Sequence, residues 1–417
     1  MTILLFEDEG VAQLLPLTLG KPAFALSCAA ERLIDLLRRN LTVPVRGLVR
    51  PHLRALEDVD YPALCASASE LTGPGLLLNA RLVPAFSQLN PIRQLLTAPA
   101  ESIWTKGKTL VAARVSSLAE FAAIPPASWF DIFHTPAYAA HLADDWDLFD
   151  YPHDILRFHQ SCVAENLTAR IAAGTFQQLQ DGLFVGPNVR LPQQLVCDTR
   201  LGPILIERDA SIGPFCYLRG PLYIGAAARI MEHAALKDGT CLGHTTKVGG
   251  EVESSMLEPF SNKQHHGFLG HSYVGSWVNL GAGTSNSDLK NTYGIVNMQY
   301  RGQKVNTGLQ FIGCMIGDYA KTAINTSIFT GKVIGACSMV YGFVTGNVPS
   351  FVNYARSFGQ VSEAPVEIMI NTQKRMFDRR GREQRPCDIQ LLRDMYELTR
   401  HEREDFGETL SSEPLNW

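Results

Sequence analysis

Nine cysteines are scattered through this 417-residue chain without one C-x-x-C pair. Their odd number and wide spacing give neither a disulfide framework nor a zinc site, so no metal is expected, and they fit reduced thiols in a cytoplasm. An excess of one charge is missing as well: 37 Lys and Arg stand against 41 Asp and Glu, for a net charge of −4. Without a basic field, nucleic acid and anionic membrane are not expected partners, and small molecules are. No apolar run is long enough for a transmembrane helix. Met1 to Glu9 lacks the basic leader and cleavage site of a signal peptide, so a cytoplasmic protein is expected. Disorder does not fit 46% hydrophobic and 19% charged residues.

The length suggests two or three domains at ~150 residues each. Residues 1–155 read as mixed α/β. Ile3 to Phe6, Val43 to Val49 and Gly75 to Asn79 predict strands, Ala29 to Arg39 predicts an amphipathic helix, and Trp104 to Val115 predicts a hairpin centred on Lys106-Gly107-Lys108. Alternating strand and helix implies a parallel sheet with covering helices. Residues 156–182 carry helical spacing and predict a linker, and the domain boundary is expected there.

From 183 the period becomes six. Leu183, Val189, Leu195 and Leu201 are aliphatic, and after a one-residue slip so are Ile206, Ile212, Leu218, Ile224, Ile230, Leu236, Leu242 and Val248. With Leu, Ile and Val at about a quarter of a typical chain, eight such hits in a row have a chance of roughly one in 10⁵. The interval returns at Val274 and Leu280, then at Ile316, Ile328, Ile334 and Val340, with Thr322 in the one polar slot. An aliphatic residue every sixth position predicts a parallel β-helix, each hexad one short strand and one corner. A β-sandwich would show period-two alternation and turn signals every ~8 to 12 residues, and this segment has neither. The predicted β-helix covers 183–350, and helical spacing beyond it predicts a C-terminal extension, 351–417, capping the open end. Gly249 to Leu269 predicts a polar loop thrown out of the prism, and Ser285 to Leu309 a second interruption.

The run from His265 and His266 through Asn279-Leu-Gly-Ala282-Gly-Thr284 resembles the acetyltransferase half of the bifunctional N-acetylglucosamine-1-phosphate uridyltransferase/glucosamine-1-phosphate acetyltransferase family. Leu14 to Pro22 is similar to that family's opening Leu-x-Pro-Leu-x-Gly-Lys-Pro, and Ser261 to Gly270 resembles a divergent branch of putative sugar nucleotidyltransferases. The resemblance implies a nucleotidyltransferase-like Rossmann-type domain followed by a left-handed parallel β-helix, assembled as a homotrimer. It implies an N-acyltransferase using acetyl-CoA on an amino sugar phosphate or nucleotide-linked amino sugar. Within it His265 falls on the general base, with His266 as the competing choice; a neutral imidazole suits that task near neutral pH. Asn279 falls on a substrate contact, with an asparagine ladder as its alternative role. Lys263, Asp288 and Lys304 are further candidates for the substrate, Ala282 and Gly342 for the coenzyme, and Lys21 and Asn79 for a nucleotide.

The chain departs from the family in places. Glu253 stands where a lysine is expected and Phe268 where a tyrosine is. A nucleotidyltransferase puts a glycine-rich loop after its first strand, because backbone N–H groups must approach phosphate closely. Here Glu7-Asp8-Glu9-Gly10 follows, and Asn79 replaces the magnesium-binding Asp. Uridylyl transfer with Mg²⁺ and UTP therefore stays an alternative, as does a noncatalytic sugar-nucleotide-binding trimer. His233, His244, His265, His266 and His271 also leave room for a zinc-dependent carbonic anhydrase on the same fold.

Overall fold

Buried aliphatic runs set up the first sheet. β1 (Thr2–Phe6) pairs in parallel with β2 (Val45–Leu48) and β3 (Gly75–Asn79). β4 (Ser102–Lys106) and β5 (Thr109–Val115) form the predicted hairpin, β5 also lying antiparallel to β3, and β6 (Ala139–Leu142) extends the β4 edge in parallel. The order is β2-β1-β3-β5-β4-β6, so the sheet is mixed and not wholly parallel. Ile3, Leu4, Leu5, Leu76, Leu77 and Leu78 are fully buried. Both faces of these central strands are covered, which is why their sequences are aliphatic without alternation. Phe6 pairs with Asn79 at the carboxyl ends of β1 and β3. Residues 7–10 and 80–81 therefore leave the sheet together at one corner.

In this computed structural model, residues 1–65, 71–122, 124, 126, 129–133, 135–407 and 410–411 are described. They divide into two compact units, Met1–Ser27 with Glu31–Tyr151, and Cys28–Ala30 with Pro152–Trp417. The first unit holds α1 (Leu33–Asn40), and α2 (Asp154–Ala173) opens the long segment of the second. α2 is no free linker. Its buried His159 accepts the Ala29 N–H on Nδ1 at 3.0 Å and donates from Nε2 to the Gly239 carbonyl at 2.5 Å. That is the bonding of a neutral ring, in keeping with burial pushing its pKa down to about 4. Arg170 bonds Glu207 at 2.8 Å and Tyr223 at 3.0 Å, holding α2 along the prism.

The hexads wind a parallel β-helix of the left-handed type. On the first face the inward ladder is Val185, Ile206, Ile224, Leu242, Leu257, Val274, Ile316 and Ile334. On the second it is Ile212, Ile230, Val248, Lys263, Leu280, Thr322, Val340 and Tyr354. On the third, Leu218, Leu236, Val252 and Leu269 are followed by Asn286, Ile328 and Val344. Each aliphatic so buried stabilises by roughly 1.5–3 kcal/mol. Asp209, Ala227, Thr245, Phe260, Trp277, Tyr319 and Cys337 take positive φ at the first corner, between the first and second faces. Such backbone costs an L residue about 1–2 kcal/mol. The coil-to-coil bonds around it, such as Ala227 N–H to the Arg208 carbonyl, offset that cost.

Three expectations need correction. Residues 249–269 are not thrown out of the prism: the strands at Glu251–Glu253, Met256–Leu257, Asn262–Lys263 and Phe268–Gly270 carry the coils on. The period is lost because two sides shorten, Val248 to Val252 and Val252 to Leu257, and because an inward position is a lysine. In the second interruption only part leaves the prism. Ser285–Asn286 stays on the third face, and a hairpin of Asn297–Tyr300 with Gln303–Asn306 projects. At the other end Leu201, in the sixfold count, is 66% exposed. The C-terminal helices α3 (Val366–Asp378) and α4 (Pro386–Leu398) lie along the first corner. Phe377 packs on Trp277 with ring centres 4.5 Å apart, and Tyr396 on Phe351 at 5.2 Å. Among the described residues no helix is long and apolar enough to cross a membrane.

Candidate functional site

The second corner, between the second and third faces, gathers several of the candidate residues. Lys263, Leu280, Thr322 and Val340 are ladder mates on successive coils, so the residues two positions on, His265, Ala282, Ile324 and Gly342, share one edge. Backbone bonds confirm this register: Gly283 N–H donates to the His266 carbonyl at 3.1 Å, and Asn325 N–H to the Ala282 carbonyl at 2.7 Å. His265 and His266 are both exposed. Their roles differ in geometry. A Cβ on Gly283, whose φ is +76°, would meet Asn325 Oδ1 at 2.1 Å and His266 Nε2 at 3.3 Å, so the His266 ring lies over the next coil. Ile324, 69% exposed, and Phe343, 59% exposed, give the later coils of this edge an apolar surface.

Lys263 fixes the edge from inside. Its side chain points into the prism, 2% exposed, and the ammonium donates to the carbonyls of Gly249 at 3.0 Å and His265 at 2.8 Å. Burial lowers its pKa to about 8, against a smaller opposing pull from Glu251. The expectation that Lys263 contacts a sugar phosphate is thus corrected: its charge is spent on the corner backbone. Asn279 is exposed on the outer side of the second face, where Asn262 Nδ2 donates to its Oδ1 at 3.4 Å. The ladder role and an open amide coexist there.

Asp288 is not part of this edge. It sits at the third corner, 2.8 Å from His271 Nδ1, with His271 stacked on Phe311. Lys304 is exposed on the projecting hairpin, paired in register with Gln299. The remaining histidines are dispersed: His233 stacks on Phe215 at the second corner and His244 meets Phe260 at the first. Among the described residues no three His, Cys, Asp or Glu side chains converge as a metal would require.

At the nucleotide corner of the first unit the acids face inward onto cations. Asp8 takes two bonds from the Arg81 guanidinium, both at 2.7 Å, and one from Asn79 Nδ2 at 2.9 Å. Arg81 also donates to Asp150 and to the Phe149 carbonyl. A Cβ on Gly10 would come within 2.5 Å of the Arg81 guanidinium carbon, so the Arg81 side chain occupies the space beside this glycine. Glu7 bonds the Ala23 N–H and Arg50. Asn79 is fully buried, its amide also bonded to the Leu110 carbonyl and the Arg81 N–H, and Lys21 is buried too. The expected nucleotide contact of Asn79 is corrected on this ground. Glu7, Asp8 and Asp150 are each held by Arg50 or Arg81, so the residues present do not offer Mg²⁺ the free pair of carboxylates it needs.

Residues 3–171, about two fifths of the chain, match the family model described as sugar nucleotidyl transferase. The chain is 33% identical over 142 residues to the bifunctional sugar-1-phosphate nucleotidylyltransferase/acetyltransferase of Sulfurisphaera tokodaii, covering 34% of this chain and 35% of that one. It is 29% identical over 149 residues to the bifunctional protein GlmU of Thermotoga maritima, covering 35% and 26%. To GlmU of Heliobacterium modesticaldum it is 28% identical over 229 residues, covering 54% and 39%. The matches thus span about a quarter to two fifths of these relatives' lengths. Among solved structures it is similar to the acetyltransferase domain of PglB from Neisseria gonorrhoeae in complex with acetyl coenzyme A, at 10% identity, TM-score 0.18, covering 51% of this chain and 74% of that one. It is likewise similar to Francisella novicida UDP-N-acetylglucosamine acyltransferase, at 13% identity, TM-score 0.20, covering 55% and 82%. At such scores the fold rests on this chain's own strand register.

Proposed function

We propose that this chain is a cytoplasmic, CoA-dependent N-acyltransferase, acting on an amino sugar phosphate or nucleotide-linked amino sugar and assembled as a homotrimer. One observation carries the reading: His265, Ala282 and Gly342 share one open edge of the β-helix, with exposed Ile324 between the last two. The relatives' printed activities, sugar-1-phosphate nucleotidyl transfer and acetyl transfer, support the substrate class.

In this reading acetyl-CoA lies along the edge, its thioester at the His265 coil and its pantetheine arm over Ala282 toward Gly342. Small residues let the arm approach the coil, and Ile324 and Phe343 offer it apolar surface or seat a second subunit. His265 takes a proton from the acceptor amine, the nitrogen attacks the thioester carbonyl, and the C–S bond breaks to release the CoA thiolate, which is then protonated. Lys263 acts indirectly, by holding the carbonyl of His265 and so the direction of its side chain. Uridylyl transfer is left out of the proposal, because Arg81 fills the corner where triphosphate would bind.

Thiol release from acetyl-CoA with glucosamine 1-phosphate, extended to a panel of amino sugar phosphates and nucleotide-linked amino sugars, tests the reading. Release dependent on the amine is expected. No release with any member of the panel overturns it. Pyrophosphate release from UTP and N-acetylglucosamine 1-phosphate is expected to stay at background.

A further inference from the structure

The outer side of the second face carries cations that the proposed reaction has not used. The residue before each inward residue of this face points outward, so Arg229, Lys247, Asn262 and Asn279 stand side by side on successive coils. The ladder holds neighbours ~4.8 Å apart. The chain just past α3 brings Arg379 and Arg380 against this column, and Arg380 donates to Asn262 Oδ1 at 2.6 Å. Among the described residues Arg229, Lys247, Arg379 and Arg380 make no ion pair with a carboxylate. The charges felt by Lys247 and Arg380 are all positive: burial, and then repulsion within the group, lowers the pKa of both. Four cations gathered without an acid, in a chain of net charge −4, are a cost to folding that a bound anion relieves.

The opposite flank of the corner has no such charge to offer. There Glu253 stands where the family resemblance expects a lysine, and the nearby Lys237 is held by Glu251 at 2.5 Å and Glu253 at 3.5 Å. Asn262 precedes His265 by three residues around the corner, so the cationic column flanks the proposed base.

We propose that the phosphate of the acceptor is bound on the second face, by Arg229, Lys247 and Arg380, with the amides of Asn262 and Asn279 beside it. This rests on the acyltransferase reading and adds the place and chemistry of its acceptor site. Guanidinium groups match phosphate oxygens in pairs, and the ammonium supplies a point charge.

The test is calorimetric titration of the full chain with inorganic pyrophosphate, alone and with saturating acetyl-CoA, in wild type, in Arg229→Gln/Lys247→Gln and in Arg380→Gln. Pyrophosphate binding is expected in wild type, weakened by rising salt. It should survive saturation with acetyl-CoA and fall at least ~10-fold in the double variant. The substituted side chains are on the outside of the prism, so acetyl-CoA affinity should be unchanged and reports that the variants are folded. Absence of wild-type binding, equal binding by the folded double variant, or displacement of pyrophosphate by acetyl-CoA overturns the inference, the last by assigning the cations to the coenzyme. Failure of wild type to bind acetyl-CoA would instead count against the acyltransferase reading itself.

Discussion

Two corners of this chain invite an anion, and they have been treated in opposite ways. At the end of β1 the charges close on one another: Asp8, Arg81, Asp150 and Asn79 bond mutually, and Glu7 is bonded to Arg50. On the second face and second corner of the β-helix, Arg229, Lys247, His265 and Asn279 face outward with no acid among them. A closed set of charges needs no ligand for its stability; an open set is strained until a ligand arrives. The comparison teaches where to look for activity in a divergent chain. Substitutions in the closed corner should register in folding, and those at the open one in turnover.

The largest effect belongs to the open corner. His265→Ala is expected to lower kcat by about 10²–10⁴, the usual contribution of a positioned general base. Its melting temperature should match wild type, since the ring is exposed. His266→Ala should cost under about tenfold. A reversal of the two, read from thiol release, moves the base to His266. In the closed corner, Arg81→Leu leaves Asp8 and Asn79 with unmet bonds where Arg81 itself is 2% exposed. A loss on the order of 3–5 kcal/mol is expected, as for removal of one partner of a buried pair. Guanidinium denaturation followed by tryptophan fluorescence measures it, because three of the five tryptophans, Trp104, Trp129 and Trp146, lie in the first unit. Acetyl transfer should persist wherever the second unit stays folded.

The units should also respond to pH with opposite sign. Glu57, on the helix Arg54–Asp60, has its pKa raised to about 7 by burial and then by Glu7 and Asp58. A raised carboxyl favours the folded state while protonated, so its stabilisation is complete below about pH 4.5 and is lost as pH rises to about 7. Lys263, lowered to about 8 by burial, does the reverse: its penalty is present below pH 8 and fades toward pH 10.5. Each change is on the order of 3 kcal/mol at most. Glu57→Gln should flatten the first slope. Lys263→Met should remove part of the second, because Lys321, also lowered to about 8, contributes with the same sign. Urea denaturation of wild type and each variant at pH 5, 7, 8 and 10 checks both; equal slopes in variant and wild type would refute the assignment.

How much of this was legible in the sequence follows the same division. The hexads showed the β-helix because a narrow prism admits aliphatics at a fixed step, and His265 with Ala282 followed from the motif. Lys263 was hidden because an inward lysine reads as a polar loop, and the two shortened sides beside it broke the count. The Asp8–Arg81–Asp150 set joins residues far apart in the chain, which no local pattern reveals, although the acidic run in place of a glycine loop was visible there. Arg229 and Lys247 each precede a second-face aliphatic by one residue. That signal was present and becomes readable only once inward and outward positions are told apart.

Two asparagines give the finest test of the contrast. Asn79 is fully buried and makes three hydrogen bonds, so Asn79→Ala should cost about 1–3 kcal/mol of first-unit stability and leave acetyl-transfer KM values unchanged. Asn279 is exposed and has one long bond to Asn262, so Asn279→Ala should change stability by less than about 0.5 kcal/mol. If the open face binds the acceptor, that same substitution raises KM for the amino sugar while leaving KM for acetyl-CoA in place. The same residue type and the same deletion would then report on folding in one corner and on binding in the other, a split that differences in local stability alone cannot produce.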